Sequence, residues 1–147
     1  MTVKCFEDLE IWQEARELCK IVRNFSSRYP FCNDYGLKSQ INNSSGSVMD
    51  NIAEGFERDG NKEFSQFLSV SKGSCGETRS QSYRAFDANF INDEELANLL
   101  SRTEILGKKI GNFMVYLKRA EISGRKFKQY NPETSITRNP KQFKPET

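Results

Sequence analysis

The amino-acid sequence predicts an all-α protein, an up-and-down antiparallel four-helix bundle. Three observations lead to this fold class. Apolar residues recur at helical spacing of three and four in four successive segments. Turn residues separate those segments, and none shows a convincing strand alternation. At 1.5 Å per residue the segments are about 30 to 45 Å long, comparable enough to lie side by side.

The first segment, residues 6–30, reads as an amphipathic helix. Three acids, Glu7, Asp8 and Glu10, suit the positive end of its dipole. Pro30 is expected to stop it. Its apolar stripe is Ile11, Trp12, Ala15, Leu18, Cys19, Val22 and Phe25.

The second segment runs from about Tyr35 to Arg58 and has an unusual centre. Residues 42–47 read NNSSGS, where helix propensity is poor, so we expect tertiary packing to stabilise the helix. The sequence ERDGN then predicts a turn. The stripe of this helix is Leu37, Ile41, Ser45, Val48, Ile52 and Phe56.

The third segment is predicted to begin near Asn61, as N-cap, and to continue to about Phe90. Gly73 and Gly76 place small residues in the middle of this helix, where the second segment also has small residues. We therefore expect the two helices to approach closely. The stripe is Phe64, Phe67, Leu68, Ser71, Cys75, Thr78, Ser82, Ala85 and Phe86.

The fourth segment carries the clearest local signals. Asn92 is the predicted N-cap, Glu95 its capping-box partner, and Ile91 with Leu96 a hydrophobic staple. The heptad-spaced stripe that follows predicts bundle packing and consists of Leu96, Leu99, Thr103, Leu106, Ile110, Phe113 and Leu117.

The chain divides into a predicted bundle, residues 1–123, and a basic, extended or disordered C-terminal tail, residues 124–147. The tail holds few apolar residues and three prolines, Pro132, Pro140 and Pro145. Its six basic residues face two acids, whereas the bundle carries 16 basic and 18 acidic side chains. The positive charge is therefore concentrated in the tail.

The composition argues against an enzyme or a metal protein. There is no histidine, the commonest general base and metal ligand. The four cysteines have no C-x-x-C spacing, and those inside helices behave as small apolar side chains. No apolar run approaches a membrane span. We expect a cytoplasmic protein with no catalytic residue, cofactor, metal, small-molecule substrate or membrane contact.

Residues 51–58 contain a polar cluster that can be interpreted in three ways. Asn51, Glu54 and Arg58 share one side of the second helix. They are compatible with a buried network between helices or subunits, a solvated face, or a catalytic carboxylate pair. We favour the network as a device that fixes packing register. The predicted interface residues are Asn51, Glu54, Gly55, Arg58, Glu63, Gly73 and Glu77.

Basic residues recur in three groups: along the first helix, late in the fourth helix and in the tail. They would form a basic rim if the three groups share one end of the bundle; they are also compatible with a role in solubility alone. The predicted nucleic-acid contacts are Arg16, Lys20, Arg23, Lys108, Lys109, Lys118, Arg119, Arg125, Lys126 and Lys128.

Several pieces of the chain, taken in order, resemble a known family. They are FEDLEIWQEA, YGLKSQI, NIAEGFER and NKEFSQFLSVSKGSCGE, followed by the terminal helix. Over about residues 5–120 they are similar to four-helix-bundle proteins encoded by intervening sequences in bacterial 23S ribosomal RNA genes. The resemblance implies a homopentameric ring with a central channel and no enzymatic activity. It also implies a relative, the accessory variability determinant of diversity-generating retroelements, which binds a reverse transcriptase and nucleic acid.

The sequence departs from the family pattern at two places. Asn42 and Asn43 follow SQI, where members usually carry two arginines. The chain reads SVMDNIAEG where a proline is usual. We predict a non-catalytic, homo-oligomeric module, pentameric by resemblance, associated with RNA or with a ribosome-type or reverse-transcriptase partner. The alternative is a purely structural or protein-interaction bundle.

Overall fold

The computed structural model describes residues 3–124. This range contains four α-helices and no strand: α1 is Glu10–Ser26, α2 is Tyr35–Glu57, α3 is Asn61–Asp87 and α4 is Asp93–Ile122. Short 3-10 helices at Phe6–Asp8 and Phe31–Asn33 precede α1 and α2. The predicted all-α class is confirmed.

Neighbouring helices pack antiparallel. Ser44 of α2 meets Thr78 of α3, and Ser47 meets Ser74, so residue numbers rise along one helix as they fall along the other. Across the α3–α4 seam Lys72 lies beside Gly111 and Cys75 beside Thr103, and contacts across the α1–α2 and α1–α4 seams run in the same sense. α1 packs on α2 and α4, and α3 packs on the same two helices. This is the predicted up-and-down bundle.

The predicted stripes form the core. Hydroxyl-bearing residues lie among the apolar ones, and Ser45, Ser71, Thr78, Ser82 and Thr103 are all buried. Some bulky residues of the stripes are of intermediate exposure: Phe25, Phe67, Phe86, Leu96 and Phe113. The fully buried apolar side chains include Leu18, Val22, Ile41, Val48, Ile52, Leu68, Leu99, Leu106, Ile110 and Leu117.

Helix α1 is shorter than predicted. It begins at Glu10 with Leu9 as N-cap, and it ends at Ser26, before Pro30. Its 17 residues span only about 26 Å at 1.5 Å per residue. Glu7 and Asp8 lie in the preceding 3-10 helix, and the Asp8 carboxylate accepts a hydrogen bond from Lys4 N at 2.9 Å. Asp8 thus stabilises the segment before the helix.

The ends of α3 also differ from the prediction. Gly60, at φ 96°, is the N-cap, and Asn61 is the first helical residue and buried. The tight turn after α2 requires a positive φ, which glycine adopts without strain. At the other end Asn89 has φ 63° and Phe90 N donates to Ala85 O at 2.9 Å. This left-handed cap ends α3 at Asp87.

The α4 capping box is present as predicted. Asn92 Oδ1 accepts from Glu95 N at 2.8 Å, and Glu95 Oε1 accepts from Asn92 N at 2.9 Å. In the range that the structure covers, no helix combines the length and hydropathy needed to cross a bilayer. The division at 123/124 stays a prediction, because the tail from residue 125 onward lies outside the described residues.

Candidate functional site

Gly55 is the point of closest approach between α2 and α3. A Cβ atom at this position would lie 2.7 Å from Phe67 Cβ and 3.2 Å from Phe64 O. Both distances are shorter than a normal contact, so a side chain at position 55 would push the helices apart. Gly55 therefore lets α2 and α3 pack closely within a single chain.

Buried hydroxyl groups explain the polar centre of α2. Ser44 Oγ lies 2.8 Å from Thr78 Oγ1 and donates to Gln81 Oε1 at 2.6 Å. Ser47 and Ser74 are joined at 2.8 Å. The side chains therefore bond across the α2–α3 seam instead of remaining unpaired in the core. We refer to these five residues as the hydroxyl network.

The predicted cluster around residue 54 exists, but it lies on the surface of the chain. Arg58 Nη2 donates to Glu54 Oε1 at 2.8 Å, and Arg58 Nη1 is 3.8 Å from Glu63 Oε1. The three side chains are 44, 53 and 43 % exposed, respectively. The Arg58 guanidinium also lies 5.0 Å from the Phe67 ring centroid. Within one chain the expected buried network is thus a solvated ion-pair cluster.

Asn51 takes no part in that cluster. It is half-buried, and its Nδ2 donates to Ser47 O at 2.8 Å and to Ser47 Oγ at 2.9 Å. Because Ser47 also bonds Ser74, Asn51 extends the hydroxyl network. This geometry is compatible with a role of Asn51 in fixing the packing register of α2 and α3 through the hydroxyl network.

Gly73 and Glu77 lie apart from the other predicted interface residues. Glu77 is exposed and about 21 Å along α3 from Glu63. A Cβ atom at Gly73 or Gly76 would meet nothing within 4 Å. The prediction that these two glycines let α2 and α3 approach closely is wrong inside the chain, because both are exposed.

The cations of α1 differ in environment. Lys20 pairs with Glu17 of its own helix at 3.1 Å. Arg23 is exposed. The Arg16 guanidinium lies 5.8 Å from the Trp12 ring centroid, and its buried Nη1 has no hydrogen-bond partner in the described part of the chain.

Two of the predicted α4 cations are held by carboxylates. Lys109 Nζ lies 2.5 Å from Glu10 and 2.8 Å from Glu14, and these bonds raise the pKa of Lys109 to about 12. Lys108 Nζ lies 3.3 Å from Glu104. Lys109, which is held by two carboxylates, is less available to an outside phosphate.

The remaining α4 cations, Lys118 and Arg119, are exposed near the end of the helix. The tail residues Arg125, Lys126 and Lys128 lie outside the described residues.

The two described basic groups do not share one end of the bundle. Glu10 and Glu14, at the start of α1, lie beside Lys109 of α4. Counted from that contact along antiparallel helices, Arg23 and Arg119 lie in opposite directions, roughly 30 Å apart at 1.5 Å per residue. Within residues 3–124 of a single chain, the α1 and α4 cations therefore do not meet the condition for a basic rim.

Sequence reasoning missed a groove of about 500 Å³ between α3 and α4, which we call the α3–α4 groove. The groove has both charged and glycine positions in its lining. Lys72 and Arg79 are seven residues apart on α3, which places them on one face two turns apart, a signal readable in the sequence. The lining includes Lys72, Gly76, Arg79, Glu104, Gly107 and Lys108.

The described cysteines have the character of structural thiols. Cys75 Sγ donates to Thr103 O at 3.1 Å, and burial raises the pKa of Cys75 to about 11. Cys19 Sγ donates to Ser45 O at 3.1 Å, and burial raises its pKa as well. At neutral pH both remain thiols. No group of three or more Cys, Asp or Glu side chains in residues 3–124 could hold a metal ion.

Comparison with known proteins gives one result. A family model described as "23S rRNA-intervening sequence protein" matches residues 7–112. The match begins just before α1, ends within α4 and covers well over half of the chain. No curated protein matches the chain at a significant level.

Proposed function

Because the chain belongs to the 23S rRNA-intervening sequence protein family, we propose that it is a non-catalytic, homo-oligomeric module that associates with RNA in the cytoplasm. The oligomer is a pentamer. The RNA is free or part of a ribosome-type or reverse-transcriptase complex. The chain itself supplies rigid helices and surface charge.

The observation that carries the proposal is the uncovered apolar surface of α3 and α4. Val70, Ile105 and Val115 are 53, 47 and 50 % exposed, and Ile122 is 80 % exposed. Four aliphatic side chains outside the core of so small a protein favour a covering partner. The open positions at Gly73 and Gly76 would allow a second helix to approach α3. A second copy of this chain would cover the aliphatic side chains and would place a helix against Gly73 and Gly76 of α3.

Unpaired cations support the association with RNA. Arg23, Lys118 and Arg119 are exposed, and no ion pair joins them to another residue in the range 3–124. The sequence adds six more basic residues from 125 onward. A ring would multiply each of these charges, and affinity for a phosphate backbone grows with the phosphates neutralised.

Light scattering and RNA binding over a salt series test the proposal. We expect a mass of five subunits and RNA retention at about 50 mM salt that falls steeply as salt rises. Deleting residues 124–147 is expected to abolish the retention. A monomer, or no retention at low salt, would exclude the corresponding half of the proposal.

The second candidate function is a protein-interaction bundle. The pairing of Lys20 and Lys109 with carboxylates favours it, because it makes two of the predicted nucleic-acid contacts less available to phosphates. This candidate predicts that a protein co-purifies after nuclease treatment. Recovery of RNA alone would exclude it.

A further inference from the structure

Charge in the α3–α4 groove is unbalanced. Glu104 lies between two cations, 3.5 Å from Arg79 and 3.3 Å from Lys108. Lys72 is the third cation in the lining, and within residues 3–124 it has no ion-pair partner. One carboxylate therefore faces three cations, which leaves two net positive charges in a confined space.

Glycine positions keep the groove open above these charges. A Cβ atom at Gly76 or Gly107 would meet nothing within 4 Å. At Gly111 a Cβ atom would lie 3.4 Å from Lys72 Cε, so the lysine side chain crosses from α3 over the bare backbone of α4. The groove thus offers an unpaired ammonium group and room for a ligand beside it.

We propose that the α3–α4 groove binds a phosphate group of RNA, with Lys72 as the principal contact and Arg79 and Lys108 flanking it. The inference rests on the proposed association with RNA and gives it a place on the bundle. Lysine and arginine side chains supply most contacts to nucleic-acid phosphates. Arg79 and Lys108 are already oriented by Glu104.

The lining fits a phosphate better than a protein partner. The centre of a protein interface is built from aromatic and apolar side chains. The exposed aliphatic residues Val70 and Ile105 do not line this groove. Its buried lining residues Cys75 and Thr103 are already hydrogen-bonded to each other. Charge and open space are what the groove presents to a ligand.

The test measures binding of a fluorescent single-stranded RNA by anisotropy between about 50 and 300 mM KCl. Lys72→Gln is compared with Lys62→Gln, an exposed lysine ten residues earlier on α3. We expect Lys72→Gln to weaken binding for all RNA sequences. We also expect the salt slope, which is the steepness with which the logarithm of the binding constant falls with the logarithm of salt concentration, to decrease by roughly 0.7 for each phosphate that the variant no longer neutralises. Lys62→Gln and Lys72→Arg should keep the wild-type slope.

A steric variant tests the same site without removing charge. Gly107→Leu fills the groove at a position where the fold has room. We expect this variant to lose RNA affinity while its oligomer mass by light scattering is unchanged. If Gly107→Leu disrupts the oligomer and Lys72→Gln leaves RNA binding intact, a second copy occupies the groove and the proposal is overturned.

Inorganic phosphate separates this inference from the proposed function. At constant ionic strength, phosphate in place of chloride should raise the melting temperature of the wild type and of Lys62→Gln, but not that of Lys72→Gln. Equal shifts in all three would refute the phosphate site even if RNA binds elsewhere. A Lys72-dependent shift without RNA binding would refute the RNA proposal and leave an anion site.

Discussion

Two kinds of glycine occur in these helices, and their surroundings distinguish them. Gly55 lies against Phe64 and Phe67, so hydrogen is the largest substituent that fits there. Gly73 faces open space in the chain. Glycine in a helix interior is about 1 kcal/mol less favourable than alanine. The fold accounts for the glycine at 55, whereas the fold of one chain gives no reason for the one at 73.

Replacing each glycine by alanine should therefore give opposite effects. Gly55→Ala is expected to lower the free energy of unfolding by about 1 to 3 kcal/mol, because the added methyl forces α2 and α3 apart. Gly73→Ala should raise it by about 0.5 to 1 kcal/mol through helix propensity. Urea denaturation measures both. Equal effects of the two substitutions would contradict the assigned packing at Gly55.

Asn42 and Asn43 occupy the positions of the family's usual arginines but are not equivalent. Asn42 Nδ2 donates to Ser26 Oγ at 2.9 Å and to Lys38 O at 2.8 Å, joining α2 to α1. Asn43 is exposed, and its one hydrogen bond within the described residues reaches Ser39 Oγ at 3.5 Å. A cation at position 43 would face solvent without breaking a helix contact.

Asn43→Arg should consequently strengthen RNA binding with little change in stability. Each added phosphate contact is expected to steepen the salt dependence by roughly 0.7 for single-stranded RNA. Anisotropy over the same salt series measures this, and Asn43→Gln is the neutral control. An unchanged slope would show that this face of α2 does not meet RNA.

At the scale of the elements, the α2–α3 seam is held by hydroxyl groups where a typical bundle would use leucine. Ser44 is buried and bonds both Thr78 and Gln81. Ser71 Oγ donates to Val48 O at 2.7 Å, so a serine of α3 also reaches the backbone of α2. Directional bonds of this kind favour one register of the two helices over a slipped one.

Ser44→Ala should lower the free energy of unfolding by about 1 to 3 kcal/mol, because it leaves the buried Gln81 Oε1 without the hydroxyl that donates to it. Ser80→Ala, on the exposed face of α3, is the matched control and should stay within about 0.5 kcal/mol of the wild type. Chemical denaturation of both variants gives the comparison. A neutral Ser44→Ala would mean that the network contributes little to stability.

At the scale of the whole molecule, ion pairs close the bundle between α1 and α4. Arg28 Nη2 lies 3.0 Å from Glu95 Oε1, and Lys109 bridges to Glu10 and Glu14. The hydrogen bond from Arg28 lowers the pKa of Glu95, and the hydrogen bond from Lys109 lowers that of Glu10. A carboxylate with a lowered pKa stabilises the fold above its unfolded pKa, near 4.5, and this contribution disappears as pH falls further.

Glu95→Gln isolates this dependence, because glutamine preserves the capping box and removes the charge. At pH 6 the variant should be less stable than the wild type by up to about 1 kcal/mol, a figure reduced by the solvent exposure of Arg28. The difference should be smaller at about pH 3, because the contribution of Glu95 is lost as pH falls below 4.5 and its carboxylate takes up a proton. Denaturation at both pH values checks this, and Glu17→Gln, which removes an exposed pair with Lys20 of the same helix, should stay within about 0.5 kcal/mol of the wild type at pH 6.

Features that depend on spacing along one helix mostly agree with the sequence-based predictions, whereas the side chains that meet across helices do not follow from that spacing. The capping box of α4 and the stripes of α1, α2 and α4 follow from spacing of three or four residues along one helix, and all are predicted correctly. The predicted start of α3 differs by one residue because a turn that needs positive φ selects Gly60 over Asn61 as N-cap. The condition for a basic rim, that the basic groups share one end of the bundle, is not met by α1 and α4 within residues 3–124, because the direction of each helix decides which cations become neighbours.

The sequence by itself determined the four helices, their buried faces and the membership of the chain in its family, because periodicity, caps and motifs are local. Only the tertiary structure decided that Gly55 lies against Phe67, whereas a Cβ atom at Gly73 would meet nothing within 4 Å among residues 3–124. It also decided that, within residues 3–124, Lys109 meets Glu10 and Glu14 while Lys72 meets no carboxylate. These outcomes depend on the rotation and relative height of packed helices, which no single helix encodes.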